Sequence, residues 1–296
     1  MGKRKPSSRQ PPAKGRQPQR AAAQQQPPHR RPQRKPVNRT PAWVAPVSVV
    51  GGMAVLVVAF LAIRYMTTPT VPPASAATTA QVIATITSLQ ASELEQVGEG
   101  SATRVLQKTS DQLLTSSDGK PLIFYFGAEY CPFCAAERWP LIIALSRFGT
   151  FTGLSTTTSS STDVYPNTPT FTFHGASYAS TYITFQSVEV SDRNGNPLQT
   201  ASSAQQALVS KYDKADTIPF LDLGNKYVLL KPSYKPDALA GKTWQDIATA
   251  LTNPQSSESQ AILGSANQLT AAICLLTSNQ PSSVCTATIQ TIETKL

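Results

Sequence analysis

The chain has 296 residues and a formal net charge of +9, but its positive charge is concentrated at the N-terminus. Residues 1–42 contain twelve Lys or Arg, nine Pro and no Asp or Glu. The chain after Arg64 contains 13 Lys and Arg against 17 Asp and Glu, a net of −4. The overall positive charge therefore comes from residues 1–42. It neither predicts the surface charge of the later residues nor excludes any function for them.

Residues 1–42 are predicted to be a disordered polybasic tail, because a Lys-, Arg-, Pro- and Gln-rich segment cannot fill a hydrophobic core. No aromatic residue is interleaved with the charges. Nucleic-acid bases would have nothing to stack on, so we expect no specific nucleic-acid binding. We expect the tail to hold its end of the chain in the cytoplasm and to contact anionic lipid headgroups.

Residues 43–66 are predicted to form a transmembrane anchor. The twenty mainly apolar residues from Val44 are long enough to cross a bilayer, and Trp43 and Tyr65 flank them. The preceding positive charges predict a single-pass protein of the cell membrane, with a cytoplasmic N-terminus and an extracytoplasmic C-terminal domain. The alternative is a signal peptide cleaved near residues 74–76, but the leading segment is too long and the apolar run exceeds the usual ~7–15 residues.

The rest of the chain is predicted to be a linker, residues 67–79, and one folded domain, residues 80–296. The linker is rich in Pro, Thr and Ala, which is typical of a semi-extended spacer. Apolar residues near helical spacing predict that the domain begins with a helix in residues 80–97.

The most informative stretch is a strand, a CxxC sequence and a helix in succession. Residues 121–126 are mostly β-branched, aromatic or apolar, and they predict a buried strand. Cys131 and Cys134 follow and lead directly into a helical pattern. A helix N-terminus stabilises a thiolate through its free N–H groups and its dipole. The sequence therefore predicts a reactive dithiol, in which Cys131 is the exposed nucleophile and Cys134 closes the disulfide.

Two other interpretations of the CxxC sequence are a zinc site and a structural disulfide. Zinc needs further Cys or His ligands. The remaining Cys274, Cys285, His29 and His174 match no common zinc spacing, so we predict no metal and no cofactor. A structural disulfide stays open as an alternative, although it would be an unusual use of a strand-to-helix junction.

Further elements follow the CxxC helix. Residues 171–173 and 183–190 alternate apolar and polar side chains, which predicts an antiparallel pair of strands. Residues 202–212 are predicted to be helical. Thr243 is predicted to cap the N-terminus of another helix.

The residues around the CxxC sequence resemble a known family. Residues 126–134, FGAEYCPFC, resemble the active-site segment of the thioredoxin superfamily. The run through Trp139 resembles the thioredoxin-like family catalogued as domain of unknown function 929. This resemblance reaches from about residue 81 to the C-terminus. It implies an α/β fold with a thioredoxin-like mixed sheet flanked by helices. We also expect an insertion at 153–190 after the active-site helix and a helical hairpin at the C-terminal end of the domain. The family is named for lacking an established reaction.

Thr217, Ile218 and Pro219 resemble the cis-proline loop of the superfamily. The resemblance implies a cis Ile218–Pro219 bond and a substrate-binding role for these three residues, whose backbone would hydrogen-bond an extended cysteine-containing substrate. The alternative is an ordinary trans proline at the start of a strand.

The chain departs from better-known thioredoxins near the dithiol. Tyr125 stands where those proteins carry a buried acid, and Tyr130 replaces the usual Trp before the first cysteine. Losing the acid weakens the expectation of efficient reductase-type proton transfer. Glu129 and Glu137 lie nearby in sequence, and we expect both to be solvated surface carboxylates.

Cys274 lies in an apolar helical pattern, and Cys285 follows a Ser- and Pro-rich turn. Outside the cytoplasm, two cysteines in such an arrangement form a structural disulfide most simply. The alternative is a relay that passes electrons to Cys131 and Cys134.

These features predict a membrane-anchored thiol-disulfide oxidoreductase of oxidase or isomerase type. Its expected partners are the thiols and disulfides of other proteins, together with an unidentified membrane or extracytoplasmic redox partner. The alternative function is a redox-inactive binding or scaffold domain, whose cysteines are permanently bridged.

Overall fold

The structure is a computed structural model that describes residues 54–60 and 74–296. The predicted tail, most of the predicted anchor and the start of the predicted linker lie outside these residues. The chain divides into two units, Met1–Leu61 and Ala62–Leu296. In the first, residues 54–60 are helical with exposed side chains. Within the described residues, no helix combines the length and the apolar character that a membrane crossing needs.

The second unit is a mixed α/β structure. Its helices are α1 (Ala76–Thr87), α2 (Ala91–Val97), α3 (Pro132–Ser146), α4 (Ser203–Tyr212), α5 (Trp244–Leu251), α6 (Ser257–Leu276) and α7 (Ala287–Glu293), with one 3-10 helix (Pro236–Leu239). Its strands are β1 (Gln107–Lys108), β2 (Leu122–Gly127), β3 (Gly149–Thr152), β4 (Ser155–Thr158), β5 (Pro169–Thr172), β6 (Ser177–Ser180), β7 (Thr184–Glu189), β8 (Phe220–Leu223) and β9 (Tyr227–Leu229). The prediction of one helix in residues 80–97 was wrong, because the chain breaks at residues 88–90 into α1 and α2.

The main sheet has five strands in the order β1-β9-β8-β2-β7. The predicted buried strand, β2, is central, because β7 pairs with it in parallel and β8 pairs with it antiparallel. Large apolar clusters cover both faces of this sheet, so the residues of β2 are almost continuously apolar. Helices flank the sheet, as predicted.

The strands between α3 and β7 differ from the prediction. Residues 171–173 and 183–190 do not pair with each other. β5 pairs antiparallel with β4, β3 pairs with β6, and β7 joins the main sheet. Apolar–polar alternation identifies a strand but not its partner, because parallel and antiparallel strands share the same two-residue side-chain period.

The N-cap predicted at Thr243 is confirmed, and Ser202 forms a second N-cap at the start of the predicted helix in residues 202–212. Ser202 caps α4 by accepting the backbone N–H of Gln205, and Thr243 caps α5 by accepting the N–H of Asp246. Such caps satisfy N–H groups that have no helical acceptor.

Two tryptophans fix the position of β5 on the helices. Trp139 Nε1 of α3 donates to the carbonyl oxygen of Pro169 at 2.9 Å, and Trp244 Nε1 of α5 donates to that of Thr170 at 2.6 Å. Both indole rings are almost completely buried, so each one combines apolar burial with a satisfied donor. The middle of α3, the helix that begins at the CxxC sequence, is thereby held against the sheet of β4 and β5.

Candidate active site

Cys131 and Cys134 lie at the junction between β2 and α3. Cys131 is the N-cap residue of α3, Pro132 follows at the start of the helix, and the N–H of Cys134 donates to Cys131 Sγ at 3.2 Å. Proline is favourable there because its missing N–H would have had no helical acceptor. The sulfur of Cys131 therefore occupies the place of a capping oxygen, where the helix N-terminus favours negative charge.

Both thiols are free, and both are buried. Cys134 is completely inaccessible, as expected for the inner cysteine, but the prediction of an exposed Cys131 was wrong because only 4% of it is accessible. The reason is a loop distant in sequence. Ile218 places its carbonyl oxygen 3.7 Å from Cys131 Sγ, which donates to it.

The two thiols have opposite pKa shifts. The hydrogen bond from the Cys134 thiol lowers the pKa of Cys131, and the backbone N–H of Cys134 and the charge of Arg138 act in the same direction against burial. Burial raises the pKa of Cys134 well above its ordinary value, and the neighbouring Cys131 raises it further. The surroundings therefore favour a thiolate at Cys131 and a protonated thiol at Cys134.

The loop that carries Pro219 faces the dithiol. Its Ile218–Pro219 bond is cis, as the resemblance implied. Asp213, only 2% exposed at the end of α4, anchors the loop: its carboxylate accepts the Thr217 N–H at 2.6 Å, the Thr217 hydroxyl at 3.0 Å and the Ala215 N–H at 3.0 Å. The predicted residues of the dithiol and of the loop thus lie together.

Tyr125 lies beneath the dithiol. Its side chain is fully buried, and its hydroxyl has no hydrogen-bond partner among the described residues. A methyl group added to Gly127 would collide with that hydroxyl and lie 3.1 Å from Cys134 Sγ, so the hydroxyl and the inner thiol share one small space. Burial raises the pKa of Tyr125 well above its ordinary value, so the phenol stays neutral and cannot serve as a base at neutral pH.

The prediction that Glu129 and Glu137 are solvated was wrong. Glu129 is 8% exposed and accepts the Thr157 hydroxyl at 3.3 Å. Glu137 is inaccessible; one carboxyl oxygen accepts the N–H of Ser233 at 3.2 Å, and the other has no described partner. Burial raises the pKa of Glu137 to about 8. The carboxyl is buried because α3 is covered on this side by the segment around Ser233.

Three buried charged residues were not found from the sequence. Arg138 and Glu189 form an ion pair with completely inaccessible side chains, and Asp213 anchors the loop described above. Arg138 had a detectable signal, because it stands four residues after Cys134 within an otherwise apolar helical pattern and therefore on the same face. Glu189 and Asp213 had no such signal.

A mostly apolar cavity of about 690 Å³ lies beside the dithiol. Its lining includes Phe133, Ile218, Leu230, Tyr234 and two lysines. Phe133, from within the CxxC sequence, is 37% exposed. An extended polypeptide chain that reached Cys131 would therefore meet both an apolar surface and the backbone of the Pro219 loop.

Cys274 and Cys285 form the predicted disulfide, with an Sγ–Sγ distance of 1.96 Å. Cys274 lies in α6, and Cys285 precedes α7, so the bond closes the helical hairpin. Both residues are almost completely buried.

The family described as Domain of unknown function (DUF929) matches residues 106–275, which is more than half of the chain. The chain belongs to this family. The DUF929 match includes Cys131, Cys134 and Pro219, but it ends before Cys285, so one half of the hairpin disulfide lies outside it. Among curated proteins and among solved structures, none matches the chain.

Proposed function

We propose that the chain is a thiol-disulfide oxidoreductase. The position of Cys131 Sγ carries this proposal: the sulfur caps a helix, accepts an N–H from Cys134 at 3.2 Å and lies 3.7 Å from the carbonyl oxygen of Ile218. A thiolate there is stabilised by the helix, and its resolving partner is already in contact. The backbone of the Pro219 loop, which lies against Cys131, would bind an extended substrate.

The proposed exchange transfers two electrons. In the oxidising direction, a substrate thiolate attacks the Cys131–Cys134 disulfide and releases the Cys134 sulfur, which takes up a proton. A second substrate thiolate then attacks the mixed disulfide and releases Cys131 as its thiolate. The substrate leaves with a new disulfide, and the protein holds the reduced dithiol. Because the lowered pKa of Cys131 stabilises the reduced form, we propose an oxidase or isomerase rather than a reductase.

We infer that the fold is of thioredoxin type. The order of features supports this inference: β2 leads into the CxxC helix, β7 pairs with β2 in parallel, and the cis proline immediately precedes β8, the antiparallel neighbour of β2. The β3–β6 and β4–β5 sheets, which lie between α3 and β7, are then the insertion. Its predicted range of 153–190 was wrong at the C-terminal end, because β7 pairs with β2 in the main sheet.

We further propose that residues 43–66 anchor the protein in the cell membrane and place the domain outside the cytoplasm. The sequence of that segment and the Cys274–Cys285 disulfide support this location, because disulfides persist in oxidising compartments outside the cytoplasm. An oxidase there needs a partner that accepts electrons from Cys131 and Cys134, so we propose an unidentified membrane or extracytoplasmic redox protein as its partner.

One observation favours a second function. Cys131 is only 4% exposed, which is little for a nucleophile that must meet another protein. In a redox-inactive scaffold domain, the two cysteines would instead form a permanent disulfide and the cavity beside them would bind a partner.

The reduction potential distinguishes the two functions. We would titrate the full-length protein, in detergent, with glutathione redox buffers and follow the Cys131–Cys134 pair by thiol trapping, using a Cys131→Ser variant as the blank. An oxidoreductase of the proposed type should have a potential between about −120 and −230 mV. A potential below about −300 mV, with a Cys131 thiol that reacts no faster than a free thiol, would support the scaffold and overturn the oxidoreductase.

A further inference from the structure

Arg138 is a buried positive charge close to the dithiol. Its side chain is completely inaccessible, although arginine is almost never fully buried unless it is paired. It follows Cys134 by four residues in α3, so the two side chains lie on the same face of the helix, one turn apart.

The guanidinium is held in a fixed position. Its Nε donates to Glu189 Oε1 at 2.8 Å, and its Nη2 donates to Glu189 Oε2 at 2.6 Å and to the carbonyl oxygen of Ala128 at 2.7 Å. Its Nη1 has no hydrogen-bond partner among the described residues. Glu189 therefore fixes the group from one side and leaves one nitrogen of the cation unpaired.

The surroundings of Arg138 connect it to the dithiol. The carbonyl oxygen of Ala128, which accepts from the guanidinium, also accepts the backbone N–H of Cys131 at 3.3 Å. The guanidinium carbon lies 5.7 Å from the centre of the Tyr125 ring, and the hydroxyl of Tyr125 shares the space around Cys134 Sγ. The positive charge of Arg138 acts to lower the pKa of both active-site thiols.

We propose that Arg138 is the positioning residue that stabilises negative charge on the dithiol, with Glu189 as its holder. This inference rests on the proposed oxidoreductase function and adds to it the group that tunes the site. Better-known thioredoxins carry a buried acid at the position of Tyr125. Here Tyr125 is neutral, and Arg138, paired with Glu189, stabilises the charge of the dithiol instead. Because a cation favours thiolates, Arg138 stabilises the reduced form and makes the disulfide more oxidising.

Arg138 acts in one step of the exchange. When a substrate disulfide is reduced, Cys131 forms a mixed disulfide, and Cys134 must lose its proton before its sulfur attacks Cys131 Sγ. The bond between Cys131 and the substrate then breaks, and the departing substrate thiolate takes up a proton. Arg138 stabilises the Cys134 thiolate that forms in this sequence. In the oxidising direction, it stabilises the same sulfur as a leaving group.

The test compares two variants that should move in opposite directions. Arg138→Met/Glu189→Gln removes both charges and leaves no unpaired buried ion, whereas Glu189→Gln keeps the cation and removes its counter-charge. Arg147→Met is the matched control, because Arg147 ends the same helix and bonds to Asn267 and Val284 rather than to residues of the dithiol.

Two quantities would be measured on the full-length protein: the pKa of Cys131, from the pH dependence of iodoacetamide alkylation, and the equilibrium constant with glutathione. For the double variant, we expect a higher pKa and an equilibrium shifted about tenfold towards the protein disulfide, which corresponds to ~30 mV. For Glu189→Gln we expect a lower pKa and a shift in the opposite direction. Arg147→Met should change neither quantity.

A folded double variant with the pKa and equilibrium constant of the wild type would show that Arg138 is a structural clamp only. If the double variant does not fold, Glu189→Gln decides alone: an unchanged or raised pKa of Cys131 overturns the proposal. The alkylation pKa needs no substrate. A wild-type potential below about −300 mV would therefore remove the oxidoreductase function while the role of Arg138 was still measured separately.

Discussion

The sulfur of Cys131 and the carbonyl oxygen of Ile218 lie 3.7 Å apart, although the two residues are 87 positions apart in the chain. This contact joins the CxxC sequence to the Pro219 loop, the two segments in which the sequence predicted the candidate catalytic and substrate-binding residues. It also covers Cys131, so in the proposed reaction a substrate would contact the Pro219 loop before it reached the Cys131 sulfur.

Replacing either cysteine of the dithiol should give different products. Cys131→Ser should abolish reaction with a disulfide substrate, because Cys134 is inaccessible and its pKa is raised. Cys134→Ser should leave Cys131 reactive and accumulate a stable mixed disulfide. Mass spectrometry after incubation with oxidised glutathione measures both outcomes. A glutathione adduct on Cys131→Ser, at Cys134, would contradict the assignment of roles.

Asp213→Ala should loosen the loop that carries Pro219. The change removes the acceptor of three hydrogen bonds in a buried position, so we expect a loss of roughly 1–3 kcal/mol in the free energy of unfolding. The KM for a peptide disulfide should also rise, whereas the pKa of Cys131 should change little. Denaturant unfolding and steady-state kinetics provide the measurements. Asp192→Ala is a suitable control, since that half-buried loop carboxylate accepts its hydrogen bonds from the neighbouring Asn194 and Asn196.

Glu137 should make the stability of the domain depend on pH. Its pKa is raised from 4.5 to about 8 in the folded chain. The folded state therefore binds the proton more tightly than the unfolded state. The associated stability is complete below pH 4.5 and is lost as the pH rises towards 8. At about 1.4 kcal/mol per pKa unit, the loss between pH 5.5 and 8 is roughly 3 kcal/mol.

Glu137→Gln should remove this contribution, because the amide does not titrate. Denaturant unfolding of both proteins from pH 5 to pH 9 measures it as a difference. Asp222, whose pKa burial raises to about 7, acts with the same sign and remains in both proteins, so it cancels in the comparison. Parallel curves for the wild type and the variant would contradict the burial of an ionisable Glu137.

Gly127→Ala should destabilise the junction before the dithiol. The added methyl group would overlap the buried ring of Tyr125 and crowd Cys134 Sγ, and overpacking of this kind typically costs about 1–3 kcal/mol. Adding Tyr125→Phe should restore part of the lost stability, because it removes the overlapping hydroxyl but not the ring. Thermal unfolding of the single and double variants tests this coupling. Equal stability of Gly127→Ala and the wild type would show that the space is larger than described.

Cys274→Ala/Cys285→Ala should lower the free energy of unfolding by roughly 2–3 kcal/mol, because the short loop between the two residues would no longer be closed. The reduction potential of Cys131 and Cys134 should not change if the hairpin disulfide is structural. Denaturant unfolding and the glutathione titration measure the two effects in the same preparation. A shifted potential in the folded variant would favour the electron relay.

The sequence alone determined the features that depend on near neighbours. Side-chain periodicity and hydrogen bonds spanning a few residues predict the central strand, the helix start at Cys131, the helix in residues 202–212 and the cap at Thr243. The family resemblance at the CxxC sequence also predicted the cis bond at Pro219.

Only the tertiary structure decided which side chains are buried together. From the sequence, Glu137 is predicted to lie at the surface. In the folded chain, the segment around Ser233, 96 positions later, covers it. Arg138 is neutralised by Glu189, 51 positions later, on a strand whose partner could not be read from its alternation. Burial of a charge depends on such distant partners, because desolvation is tolerated only where a partner is present. The burial and pairing of Arg138 and Glu189 therefore could not be predicted from the sequence, whereas the dithiol could.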